Sequence, residues 1–220
     1  MFEQIVFIIK NLLSLLFPER KDEQIVKNFF IKDIISLPKA AESPKSINSI
    51  FSYKDKKVQA LIWEIKYHKN PTAISIIGKI MAENIEEEVS DKALFENWRE
   101  ALLVGIPITN NRLRERTFSQ TDLICKEIIK NLSPEMQKII IHNPCVIKKI
   151  RETERQSHTK NRTERLRNLQ GCFKSYSEKV KGKNIILIDD VTTTGATIQE
   201  AVRALKYAGA KNILSFTIAH

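Results

Sequence analysis

The stretch Ile185-Ile186-Leu187-Ile188-Asp189-Asp190-Val191-Thr192-Thr193-Thr194-Gly195-Ala196-Thr197 sets two adjacent carboxylates against a hydroxyl-rich turn with one glycine. The apolar run before the acids, β-branched apart from Leu187, predicts a strand buried on both faces. Ile198, Ala201, Val202, Leu205 and Ala208 then recur at the spacing of one helix face. Gly209 follows where a helix end needs positive φ. The loop therefore lies between a strand's carboxyl end and a helix N-terminus. There, free N–H groups, the helix dipole and the threonine hydroxyls favour a phosphate, and Gly195 is expected to let backbone approach that ligand closely. Carboxylates would repel a bare phosphate. They fit a ligand that also presents hydroxyl donors or a hard cation, as a ribose 5-phosphate with Mg²⁺ does. The plainer alternative is a strand end and a threonine-capped helix with its acids in water.

The segment 186–197 resembles the phosphoribosyl-pyrophosphate (PRPP) signature of type I phosphoribosyltransferases, whereas P-loop and dinucleotide fingerprints are both absent. The resemblance implies that Asp189 and Asp190 hold ribose hydroxyls, as the catalytic pair, while Val191, Thr192, Thr193, Thr194, Gly195, Ala196 and Thr197 wrap the 5-phosphate.

A second buried-strand pattern, 101–106, runs into Pro107-Ile108-Thr109 and the basic turn Arg112-Leu113-Arg114-Glu115-Arg116. Pro107, Ile108, Arg112 and Arg116 are candidates for the pyrophosphate side, because guanidinium forks match phosphate oxygens. A solvated basic turn is the competing explanation. A helix is expected from about Ser119, with Leu123, Ile124 and Ile128 on its apolar face. Residues 148–169 hold eight basic side chains against Glu152, Glu154 and Glu164, a net of +5 and half the excess of the whole chain. Such a segment cannot bury itself and is expected to be mobile without ligand. It could serve as a lid over an anion, as a nucleic-acid contact, or as a solvated face.

Several further stretches resemble the ComF family of competence-associated, phosphoribosyltransferase-like proteins: RLRERTFSQ (112–120), TERQ (153–156), ERLRN (164–168), GCF (171–173) and LIWEIKYHKN (61–70). Thr117 stands where that family usually has glycine, and Ser119 where it has asparagine. Family members commonly carry an N-terminal zinc ribbon after an L-F-P segment. Here Leu16-Phe17-Pro18 is followed by no cysteine before Cys125, so a Cys₄ site is unavailable and no zinc is expected. The resemblance implies PRPP as ligand, Mg²⁺ as cofactor and a competence helicase as partner, while the basic segment makes single-stranded DNA a further candidate partner.

The whole chain is consistent with this. Its 220 residues suffice for one domain plus an appendage, and 36 Lys+Arg against 26 Asp+Glu give a charge of +10, which favours phosphorylated or polyanionic partners. Three unpaired cysteines suit reduced thiols in a cytoplasmic setting. The apolar opening, interrupted by Lys10, Asn11 and Ser14, is too broken for stable membrane insertion and is expected to dock as a helix. The expected architecture is α/β, type I phosphoribosyltransferase-like: a mainly parallel sheet with strands near 101–107, 138–147, 184–190 and 212–218, flanked by helices. Residues 1–46 would form an N-terminal helical hood region, with a Pro/Ser linker over 37–49, and 47–220 the phosphoribosyltransferase-like domain.

Overall fold

A computed structural model describes residues 19–41, 43–44, 46–95, 98, 100–152 and 168–220. Its centre is a five-stranded, wholly parallel sheet in the order β1-β7-β6-β2-β3, built from β1 (Asn48–Phe51), β2 (Ala101–Gly105), β3 (Ile140–His142), β6 (Asn184–Val191) and β7 (Ile213–Ala219). Helices cover both faces, as parallel strands require. One face carries α3 (Lys56–His68), α4 (Pro71–Phe95) and α6 (Gln120–Asn131); the other carries α9 (Ala196–Tyr207).

Strand β6 shows why its sequence is continuously apolar. Ile186 and Ile188 pack into the cluster with Leu61, Ile77 and Ile124, while Ile185 and Leu187 pack into the opposite one with Ala201 and Leu205. All four are fully buried. From the β6/β2 boundary the chain crosses over in opposite directions, to β7 through α9 and to β3 through α6. That is a switch point, where parallel sheets open a crevice beyond their carboxyl ends.

The expected strand over 138–147 is a correction. Residues Pro134–Ile139 form a short helix, α7, and only Ile140–His142 join the main sheet. After Pro144 the chain leaves that sheet, and β4 (Ile147–Lys149) pairs antiparallel with β5 (Phe173–Ser175) in a separate ribbon. Proline cannot donate to a ladder, so the apolar run could not continue through it. The base of the ribbon is tied to α9 by Glu200, which accepts the Gly171 N–H at 2.6 Å and two hydrogen bonds from Arg203. Residues 153–167 of the basic segment lie outside the described residues, so its expected role as lid or nucleic-acid contact falls outside them too.

The expected linker also does more than connect. Leu37 and Ile47 are buried, Lys39 bridges Phe51, and the linker's last two residues begin β1. Ahead of it, α1 (Lys21–Lys27) and α2 (Ile31–Ser36) lie over α3, with Val26 in the same core cluster as Leu61. Arg20 forks onto the fully buried Glu64 at 3.1 and 3.2 Å, and Asn70 completes that carboxylate's shell at 3.0 Å. The apolar opening, residues 1–18, lies outside the described residues; among those described, no helix is long and apolar enough to cross a membrane.

Between β2 and α6, α5 (Asn110–Arg116) is capped by Thr109 and ends at Thr117 with φ +63°. This left-handed position is the one at which the resemblance calls for glycine. A β-branched residue there is strained by roughly 1–2 kcal/mol. Thr117 is exposed, and its hydroxyl bonds locally to the Arg116 carbonyl. Thr117→Gly is therefore expected to stabilise the protein by about 0.5–1 kcal/mol, the strain relieved less the extra freedom of the unfolded glycine. A urea midpoint unchanged or lowered would show that the turn carries no strain.

Candidate functional site

Side-chain alternation along β6 puts its two terminal acids on opposite sides of the sheet edge. Asp190 continues the Ile186/Ile188 side and meets α3 and α6; Asp189 continues the Ile185/Leu187 side and is influenced by Lys149 of β4. Between them lies a cleft of about 690 Å³ at the carboxyl ends of β2 and β6.

Of the residues expected from sequence, Asp189, Asp190, Val191, Thr193, Thr197, Pro107, Ile108, Arg112 and Arg116 line this cleft together. The β2 side is fixed by the Ile106 N–H donating to the Ile188 carbonyl at 2.8 Å, and by the Thr121 hydroxyl donating to the Ile106 carbonyl at 2.8 Å. The remaining four shape the loop from beneath. Thr192 is buried, its N–H bonded to the Ala219 carbonyl at 3.0 Å. The Thr194 hydroxyl accepts from the Ala196 N–H in the first turn of α9, and Ala196 itself is core. Gly195 stands at φ +75°, with Ile47 and Pro44 packed where a side chain would begin. The reason for glycine here is thus its left-handed backbone and the linker pressed against it. His220 pins the loop by a 2.9 Å contact to the Thr193 carbonyl.

Seven lining residues stood outside the expected site: Tyr53, Lys66, Tyr67, Ile106, Glu115, Gln120 and Lys149. Lys66 and Tyr67 sit in the LIWEIKYHKN segment and Gln120 ends RLRERTFSQ, so the signal was a shared motif whose chemistry needed the fold to become visible. Lys66 Nζ lies 3.0 Å from Asp190 Oδ2, and Gln120 Nε2 donates to the same oxygen at 3.2 Å. The other Asp190 oxygen accepts the Val191 N–H at 2.7 Å.

Electrostatics separates the acids. Burial and the neighbouring Asp190 charge push the Asp189 carboxyl up to about 8, against the Asp190 N–H it accepts at 2.9 Å and the attraction of Lys66 and Lys149. Burial disfavours the charged form of Lys66, but Asp190 outweighs it and raises the ammonium's pKa. Lys149 moves the other way: burial lowers it, and the nearby Arg112 adds to the effect. The cleft is therefore an acid pair, with Lys66 engaged by Asp190 at its floor and Lys149, Arg112 and Arg116 at its rim, able to take hydroxyl donors at the floor and phosphate oxygens at the rim.

Comparison with known proteins gives the same direction. The phosphoribosyl transferase domain model matches residues 125–220. Competence protein ComFC of Bacillus subtilis (strain 168) is 31% identical over 172 residues, covering 77% of this chain and 62% of that protein. DNA utilization protein YhgH of Salmonella typhi is 31% identical over 111 residues, covering 50% of this chain and 45% of that one. Among solved structures, the glutamine PRPP amidotransferase from B. subtilis complexed with ADP and GMP overlays with a TM-score of 0.42 at 16% identity, covering 71% of this chain and 30% of that one. The chain spans less than two thirds of the length of these relatives. Its parallel sheet, its acid-ended central strand and the domain match make the fold type I phosphoribosyltransferase-like. The chain belongs to the ComF family.

Proposed function

We propose that the protein binds PRPP with Mg²⁺ and transfers its phosphoribosyl group to an acceptor, in the service of DNA uptake, with single-stranded DNA and a helicase as partners. The observation that carries the PRPP reading is the convergence of Asp189, Asp190, Thr193, Thr197, Arg112 and Arg116 on one cleft at a sheet switch point. The DNA-uptake setting rests on the names of the relatives, a competence protein and DNA utilization proteins.

In this reading Asp189 and Asp190 accept hydrogen bonds from the ribose hydroxyls. The Thr193 and Thr197 hydroxyls and the first amides of α9 receive the 5-phosphate, where the helix dipole favours negative charge. Arg112, Arg116 and Lys149 face the diphosphate. As the bond from ribose C1 to the diphosphate oxygen breaks, positive charge grows on the ring and negative charge on the leaving group. The Asp190 carboxylate stabilises the first, joined by Asp189 once a bound cation would displace its proton, and the basic rim stabilises the second. Among the described residues no three His, Cys, Asp or Glu side chains converge. Two carboxylates fit a Mg²⁺ that arrives chelated by phosphate oxygens and keeps its waters, rather than one held by a protein cage. When bound, that ion would neutralise the departing diphosphate.

Calorimetric titration of the full chain with PRPP and Mg²⁺ tests this. Binding is expected, and Asp190→Asn is expected to weaken it by roughly 1–3 kcal/mol, the scale of a charge-assisted hydrogen bond. No heat and no thermal shift at millimolar PRPP would overturn the proposal. A screen of acceptor bases for pyrophosphate release then separates a transferase from a PRPP-sensing protein.

A further inference from the structure

Helix α3 reaches both ends of the cleft from one face. Lys66 contacts Asp190 at 3.0 Å, and one residue on, the Tyr67 ring lies beneath Arg116, whose guanidinium carbon is 5.4 Å from the ring centre. Trp63, one turn earlier, packs tilted against Tyr67, with centroids 4.3 Å apart and ring planes at 47°. The two contacts close into a ring through α6: Arg116 Nη1 donates to Gln120 Oε1 at 3.1 Å, and Gln120 Nε2 donates to Asp190 at 3.2 Å.

From this ring of contacts we infer that Lys66 and Tyr67 are positioning residues that let α3 set the sugar-binding carboxylate and the phosphate-facing arginine as one unit. Gln120 is the link between them. The inference rests on the PRPP reading above and adds to it a division of labour.

The chemistry of each contact says what it does. Asp190 has one oxygen tied to backbone and the other shared by Lys66 and Gln120, so the carboxylate arrives at a sugar hydroxyl already oriented, with its rotation spent before binding. Preorganisation of this kind raises affinity by removing an ordering cost. Arg116 is a long side chain at a helix end, one that would otherwise sample many rotamers. The Tyr67 face and the Gln120 amide hold its plane, leaving the other guanidinium edge for phosphate oxygens. Trp63 and Tyr67 are half-exposed, so their pairing supports the arginine more than it fills a core.

Three probes separate the two ends: PRPP, ribose 5-phosphate and inorganic pyrophosphate, each titrated with Mg²⁺ into the full chain. Lys66→Met is expected to weaken PRPP and ribose 5-phosphate about tenfold or more and to leave pyrophosphate within about twofold. Tyr67→Ala is expected to weaken PRPP and pyrophosphate and spare ribose 5-phosphate, with Tyr67→Phe restoring affinity because the ring face remains. Tyr67→Ala combined with Arg116→Ala should be no weaker than Arg116→Ala alone, the mark of residues acting through one another. Equal loss for all three probes in both variants would mean a merely structural helix and would overturn the inference. Unchanged affinities in both variants, with wild type binding, would overturn it while leaving the proposed function intact. A wild type that binds none of the probes overturns the proposed function, and the inference with it.

Discussion

Asp189→Asn is expected to stabilise the ligand-free protein on the alkaline side while removing its affinity for a phosphoribosyl ligand. Burial, together with the Asp190 charge one residue away, raises the Asp189 carboxyl from its ordinary 3.8 to about 8. The native protein therefore keeps a proton that the unfolded chain gives up. Stability drawn from that proton is complete below about pH 4, declines as pH rises, and is gone once pH passes through about 8. Asparagine keeps the shape and the acceptor for the Asp190 N–H, and carries no charge to bury. Wild type and variant should unfold in urea at similar midpoints near pH 4. The variant should lead by a margin that grows between pH 4 and pH 8 and then levels off, at most about 6 kcal/mol, the linkage equivalent of a carboxyl moved from 3.8 to about 8. A margin that stays constant from pH 4 to pH 9 would show that Asp189 is charged throughout. The same substitution halves the acceptor capacity facing a ribose diol, so PRPP affinity should fall as stability rises, the usual conflict between a site's function and its strain.

The sequence made part of this site legible because that part is local. Strand β6, the threonine loop and α9 occupy one continuous stretch, and their roles follow from a buried-strand run, a turn and a 3.6-residue period. The arginines after β2 were legible for the same reason. What could not be read was contact across distance. Lys66 lies 124 positions from Asp190 and Gln120 lies 70, and nothing in either neighbourhood says which carboxylate they meet. The parity of the acids, by contrast, was available: adjacent residues on a strand must face opposite ways, which alone implies two different walls for Asp189 and Asp190. The ribbon strands escaped because each has three residues and carries Lys148, Lys149 and Lys174, with no apolar run to announce them. Pro144 was the visible signal that the 138–147 run had to break.

Gly195 carries two readings with opposite consequences for substitution. Its place in a phosphate-like loop suggests that a side chain would intrude on the ligand, so that Gly195→Val would damage binding more than folding. The structure points to the opposite order. A β-carbon built there would stand 2.9 Å from Ile47 Cδ1 and 3.1 Å from Pro44 Cβ, both belonging to the chain itself. The backbone at φ +75° adds its own cost for any residue with a β-carbon, and more for a branched one. Strain of roughly 1–2 kcal/mol from the dihedral and about 1–3 kcal/mol from overpacking predict a loss of about 2–5 kcal/mol for valine in the absence of ligand. Against a typical domain stability of about 5–15 kcal/mol this is a large fraction. Alanine, without the branch, should lose less. Urea denaturation of the ligand-free variants measures it. The steric share can be isolated with Ile47→Ala, which should make the Gly195→Val penalty smaller than it is in the wild-type background. If Gly195→Ala unfolds together with wild type while its PRPP affinity collapses, the glycine serves the ligand after all.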